Sequence, residues 1–172
     1  MERRLGTSES NILVVQGNLA NTYEALGRLD ESLRLRQDVY SGTLKLFGEE
    51  HEDTLAAANN YAVGLTKQRR YAETRSLLRR TIPVARRVVG EGDGLTLRMR
   101  YTYARALYED PGAMTPEYLR EAVTTIEEIE RTARRVFGGS HPLTVEIERF
   151  LHKIPSTVRR GAGLESQVKR SV

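Results

Sequence analysis

The chain has 172 residues, 39% hydrophobic and 29% charged, with 27 Lys and Arg against 23 Asp and Glu for a net charge of +4. A chain of this length makes one domain of ordinary size and buries about 70% of its unfolded surface. The lack of cysteine excludes a disulfide framework, a thiolate metal site and a cysteine nucleophile, and no run of 18 apolar residues and no apolar segment behind Met1–Arg4 offer a membrane span or a secretory signal.

A cytoplasmic protein without membrane insertion is therefore expected. The two signs of charge are interleaved, as in Glu127-Glu128-Ile129-Glu130-Arg131, which is the pattern of solvated helical surface. Nucleic-acid binding needs basic residues gathered on one face and is not the favoured reading.

In chain order, Leu19, Tyr23 and Leu26 recur at helical spacing, then Leu33, Tyr40, Leu44 and Phe47 do the same. This pair of predicted helices returns. Gly17-Asn18-Leu19-Ala20-Asn21-Thr22-Tyr23 aligns with Asn59-Asn60-Tyr61-Ala62-Val63-Gly64-Leu65 at an offset of 42, which also joins Glu31 to Glu73, Leu35 to Leu77, Gly48 to Gly90 and Ala62 to Ala104. Farther on the offset becomes 48, joining Glu73 to Glu121, Gly90 to Gly138 and Thr96 to Thr144. The six extra residues fall around Asp110–Pro116, where proline and glycine indicate a lengthened turn. The units run over about 10–50, 51–92, 93–140 and, partially, 141–154, with a flexible basic tail expected over 155–172.

Two columns explain why such units stack. Ala20, Ala62 and Ala104 form one small-residue column, and Ser32, Thr74 and Ala122 form another on the facing helix. One helix pair cannot bury its apolar face alone, so pairs must stack. Gly48, Gly90 and Gly138 suit left-handed caps at the ends of second helices, whereas Pro83 threatens a kink within one of them. His51 and His141 occupy equivalent linkers and are expected to hydrogen-bond in a turn or to cap a helix, lying too far apart to share a metal. No heptad run of several repeats stands out.

Three stretches carry a resemblance over residues 10–154. They are Phe47-Gly48-Glu49-Glu50-His51-Glu52-Asp53-Thr54-Leu55, Asn59-Asn60-Tyr61-Ala62 and Phe137-Gly138-Gly139-Ser140-His141-Pro142-Leu143-Thr144. They resemble the tetratricopeptide repeat (TPR) of the kinesin-light-chain-like type. The resemblance implies an all-α fold, a right-handed α-solenoid of stacked helix-turn-helix repeats, acting as a protein-interaction scaffold. It also implies that exposed positions of the first helices line a concave face: Asn21 and Glu24; Asn59, Val63 and Thr66; Arg98, Tyr101, Arg105 and Tyr108; Arg149 and Lys153.

No phosphate loop, His-Glu-x-x-His or nucleophile elbow is present, so neither an enzyme nor a cofactor nor a metal is expected. Arg98, Tyr101, Arg105 and Tyr108 follow three-four-three spacing on one helix face. Arginine chelates carboxylates and tyrosine offers rigid contact area. The expected ligand is an extended, acidic peptide segment of a partner protein. Two alternatives are a basic solenoid binding RNA and a self-associating fragment of a longer array, joined through its repeat ends with Phe150 and Leu151 as an apolar end face.

Overall fold

The computed structural model describes residues 2–113 and 115–159. Among them are seven α-helices and no strand: α1 (Glu2–Ala25), α2 (Leu29–Phe47), α3 (Glu52–Lys67), α4 (Tyr71–Val88), α5 (Gly94–Tyr108), α6 (Pro116–Phe137) and α7 (Pro142–Lys153). A 3-10 turn at Pro111–Ala113 occupies the six-residue insertion. Of the segment expected to be a tail, 156–159 form a helical turn and 160–172 lie outside the described residues. None of the described helices is long and apolar enough to cross a membrane.

The helices stack in two layers. Each packs against the next in sequence, while α5 also touches α3 on one side and α7 on the other, so that the three lie in one layer of first helices. The small columns sit inside the hairpins: Ala20, Ala62, Ala104, Thr74 and Ala122 are fully buried, and Ser32 nearly so. The apolar interior divides into two clusters rather than one centre. One gathers Leu33, Leu55, Leu65, Leu78, Met99 and Leu107; the other gathers Leu97, Val123, Ile126, Ile129, Ile147 and Phe150. Pro83 stands on the exposed side of α4, which continues unbroken through it.

The linkers show why the recurring Phe-Gly and His residues are needed. Gly48 and Gly138 have φ of 83° with ψ of 175° and 166°, an extended conformation at positive φ that is open only to glycine. The expected positive φ is there, but these glycines go beyond a left-handed cap. The turn they make folds the chain back so that Phe47 stacks on His51 at 4.6 Å and Phe137 on His141 at 4.7 Å. Each imidazole Nδ1 then accepts the N–H of Asp53 or Leu143, 3.2 Å away, and caps the next helix. In the linker without histidine, Asp93 Oδ1 accepts the Leu95 N–H at 2.7 Å and does the same work.

The turns within hairpins carry one conflict. Gly27 has φ of 75° between α1 and α2, and the residue 42 positions later, Arg69, is forced to φ of 58° between α3 and α4. A side chain in the left-handed region costs about 1 kcal/mol or more. Arg69→Gly is expected to raise the urea midpoint, stabilising the fold by about 1 kcal/mol with an unchanged m-value; a lower midpoint would show that Arg69 is held by something other than turn geometry.

Candidate functional site

The repeat offsets set first-helix residues into columns across their layer. Gly17, Asn59, Tyr101 and Arg149 form one; Asn21, Val63, Arg105 and Lys153 form the next; Glu24, Thr66 and Tyr108 form a third. All eleven residues expected from the sequence lie on these columns except Arg98, which stands one turn before Tyr101 and Thr102. The structure separates them into two groups with different fates.

The residues of the first two units are largely engaged within the fold. Arg36 of α2 reaches between α1 and α3 with only 8% of its surface exposed. Its guanidinium donates to the Asn60 carbonyl at 3.2 Å, Asn21 Oδ1 at 3.0 Å and Glu24 Oε2 at 3.1 Å. Glu24 also pairs with Lys67. The Asn21 carbonyl oxygen and the Glu24 carboxylate are thus used to join one unit to the next. Thr66 lies inside the second hairpin instead of on the groove: its hydroxyl donates to the Ala62 carbonyl at 2.9 Å and sits 3.3 Å from the Thr74 hydroxyl, because the closest helix approach falls there. Val63 is half-buried. Asn59 is 7% exposed, and its Oδ1 has no hydrogen-bond partner among the described residues.

The residues of the last two units converge. Tyr101, Arg105, Arg149 and Lys153 line a single pocket of about 250 Å³ between α5 and α7, together with Glu109, Glu146 and Phe150. Its wall is aromatic. Tyr101 and Tyr108 each set an edge against Phe150, with centroids 5.7 Å apart in both pairs. This arrangement overturns the apolar end face: Phe150 is buried under the two tyrosines, and Leu151 is half-buried against the same cluster. Tyr108 therefore braces the pocket from behind.

The cations of the pocket differ in what they are free to do. Arg105 lies over the rings of Tyr101 and Phe150, 5.8 and 5.9 Å from their centroids, and is held by Glu109 through contacts of 3.0–3.2 Å. Arg98 is exposed and donates only a long 3.4 Å bond, to the Gly94 carbonyl. Arg149 and Lys153, one turn apart on α7, are exposed and make no ion pair among the described residues. Glu109 and Glu146 escaped the sequence reading, although Glu109 stands four residues after Arg105, the spacing at which a helix pairs them.

Burial, followed by the negative charge of Glu146, pushes the Tyr101 hydroxyl up to about 12. Burial and a bond donated to Glu121 at 2.6 Å do the same for Tyr103. Among the described residues, no group of three or more His, Asp or Glu side chains could hold a metal ion. The site is an open groove lined by the cations Arg105, Arg149 and Lys153 and by the carboxylates Glu109 and Glu146.

Comparison with known proteins agrees with this architecture. The tetratricopeptide repeat family matches residues 13–53 and 54–93. No curated protein matches the chain. The crystal structure of kinesin-light-chain TPR-like repeats of Podosopora anserina is 21% identical, with a TM-score of 0.63 over 92% of this chain and 70% of that one. A point variant of it gives 0.65 over the same shares, again at 21% identity. BtubC (BKLC) of P. vanneervenii is 12% identical, with a TM-score of 0.72 over 95% of this chain and 65% of that one. Residues 13–93 match tetratricopeptide repeats, and the described residues form an all-α solenoid, the architecture of a protein-interaction scaffold. This fold is shared with the kinesin-light-chain TPR-like repeats of those structures.

The raised tyrosines give a pH signature. Their protons are held more tightly in the folded chain, whose values stand near 12, than in the unfolded chain, where tyrosine titrates at its ordinary 10. The stability they contribute is complete below pH 10 and is lost as pH rises from 10 to 12. Tyr101→Phe with Tyr103→Phe should flatten the fall of the urea midpoint over that interval. An equally steep fall in the double variant would assign it to other groups.

Proposed function

We propose that the groove between α5 and α7 binds an extended, acidic peptide segment of a partner protein. The observation that carries this reading is the pair Arg149 and Lys153, exposed beside an aromatic wall and without an ion pair among the described residues. Charged side chains at a solvated surface normally find partners within their own helix, as Arg105 does with Glu109. Two cations left without one, facing a groove, are matched by carboxylates brought from outside. Arg98 extends the cationic rim along α5, and Tyr101 supplies contact area with few rotatable bonds.

Fluorescence anisotropy with a labelled, extended peptide rich in Asp and Glu tests the reading. Arg149→Ala with Lys153→Ala should weaken binding about tenfold, the effect of two solvated contacts worth about 0.7 kcal/mol each. Arg98→Ala with Arg105→Ala should weaken it as well, and added salt should weaken the unaltered chain. Unchanged affinity in both double variants, with helical content intact, would remove the groove from consideration. Binding of homopolymer RNA more tightly than the peptide, with a steep salt dependence, would transfer the cations to a nucleic-acid role.

A further inference from the structure

Within the array, each first helix is covered by the second helix of the unit before it. α2 covers α3: Tyr40 stacks on Tyr61 with centroids 6.2 Å apart, Leu33 and Arg36 lie over Gly64, and Asp30 accepts a bond from Gln68. α4 covers α5 in the same manner, with Arg79 donating to the Tyr103 hydroxyl and Arg75 to Asp110. The positions 42 residues before Ala57, Tyr61 and Gln68 are Val15, Leu19 and Leu26. On α1 and the turn that follows it, none of the described helices covers them. Ile12, Val15, Leu19 and Leu26 are 54, 64, 39 and 66% exposed. Their spacing of three, four and seven places them in one stripe along the helix.

We infer that this stripe is an interface between two copies of the chain, paired antiparallel along α1 about a two-fold axis at Leu19. The inner joints show that a helix is what this face accepts. The stripe is also self-complementary: Ile12 and Leu26 each lie seven residues from Leu19, so antiparallel pairing sets Ile12 of one copy against Leu26 of the other and Leu19 against its own counterpart. A notch of about 240 Å³ between α1 and α2, lined by Ile12, Leu13, Gly42 and Leu46, opens at the end where the incoming Leu26 would arrive. Head-to-tail joining finds no matching surface on α7, whose exposed residues are Pro142, Glu146, Arg149, His152 and Lys153. The groove between α5 and α7 stays open in such a dimer, which therefore presents two copies of it.

Sedimentation of the full chain over a concentration series reads the interface. The mass should shift with concentration from 19.5 kDa toward twice that value. Val15→Asp with Leu19→Asp should hold it at 19.5 kDa with an unchanged circular dichroism spectrum, since both side chains are exposed. The orientation is tested by cross-linking, because the chain has no cysteine of its own. Under mild oxidation Leu19→Cys should link to itself, whereas Ile12→Cys should link only when mixed with Leu26→Cys. A monomer at every concentration, or a dimer that survives the two aspartates, would overturn the proposal and leave the stripe to a helix of a different protein. Self-linking of Ile12→Cys would overturn the antiparallel arrangement.

Discussion

Everything in this fold depends on the joint between units, where a first helix is sealed by the second helix of its predecessor. A solenoid has no single centre, so each joint must be stable on its own. Here one joint and one hairpin are fastened by buried guanidinium groups. Arg36 joins α2 to α1 and α3 by satisfying a carbonyl, an amide oxygen and a carboxylate. Arg100, equally buried, bonds Glu91 at 2.5 Å and Glu128 at 2.6 Å, tying α5 to the preceding linker and to α6. A buried charge is tolerated only with its partners in place, so removing any one of these carboxylates or amides leaves an uncompensated guanidinium inside the stack.

The division of the groove follows from the same economy of partners. In the first two units, polar residues on the inner columns are consumed by the joints, as Asn21 and Glu24 are by Arg36. In the last two, the inner columns carry aromatic rings and cations, and the rings close on one another through Phe150. What remains open to the proposed ligand is a pair of cations on α7 and a rim residue on α5. The proposed binding surface is therefore what the scaffold leaves unspent.

Much of this was legible in the sequence because repeats multiply evidence. A single Ala20 says little; Ala20, Ala62 and Ala104 at fixed offsets locate a helix contact, and all three are buried. The insertion at Asp110–Pro116 and the capping role of His51 and His141 were legible for the same reason. The fate of individual polar side chains was not. Nothing local distinguishes Thr66, turned into its own hairpin, from Val63 one turn earlier, and Arg36 gives no sign in the sequence that it reaches across to Asn21, Glu24 and Asn60. Phe150 was misjudged because its cover comes from Tyr101 and Tyr108, more than forty residues away. The stripe on α1 is only two heptads long and stands out only once its exposure is seen.

The two unpaired cations belong to the last described helix, and that placement has a thermodynamic consequence. Among the described residues α7 packs against α6 and α5, and Val158 of the turn that follows reaches the same core. Elements at the end of a solenoid open locally at a lower free energy than the middle. The ligand proposed for α5 and α7 would bind only the closed form, so its binding energy would be returned as local order. Occupancy and folding of this end are then one equilibrium, and the amides of α7 should exchange more slowly in proportion to the ligand present, while those of α2 and α3 take no part.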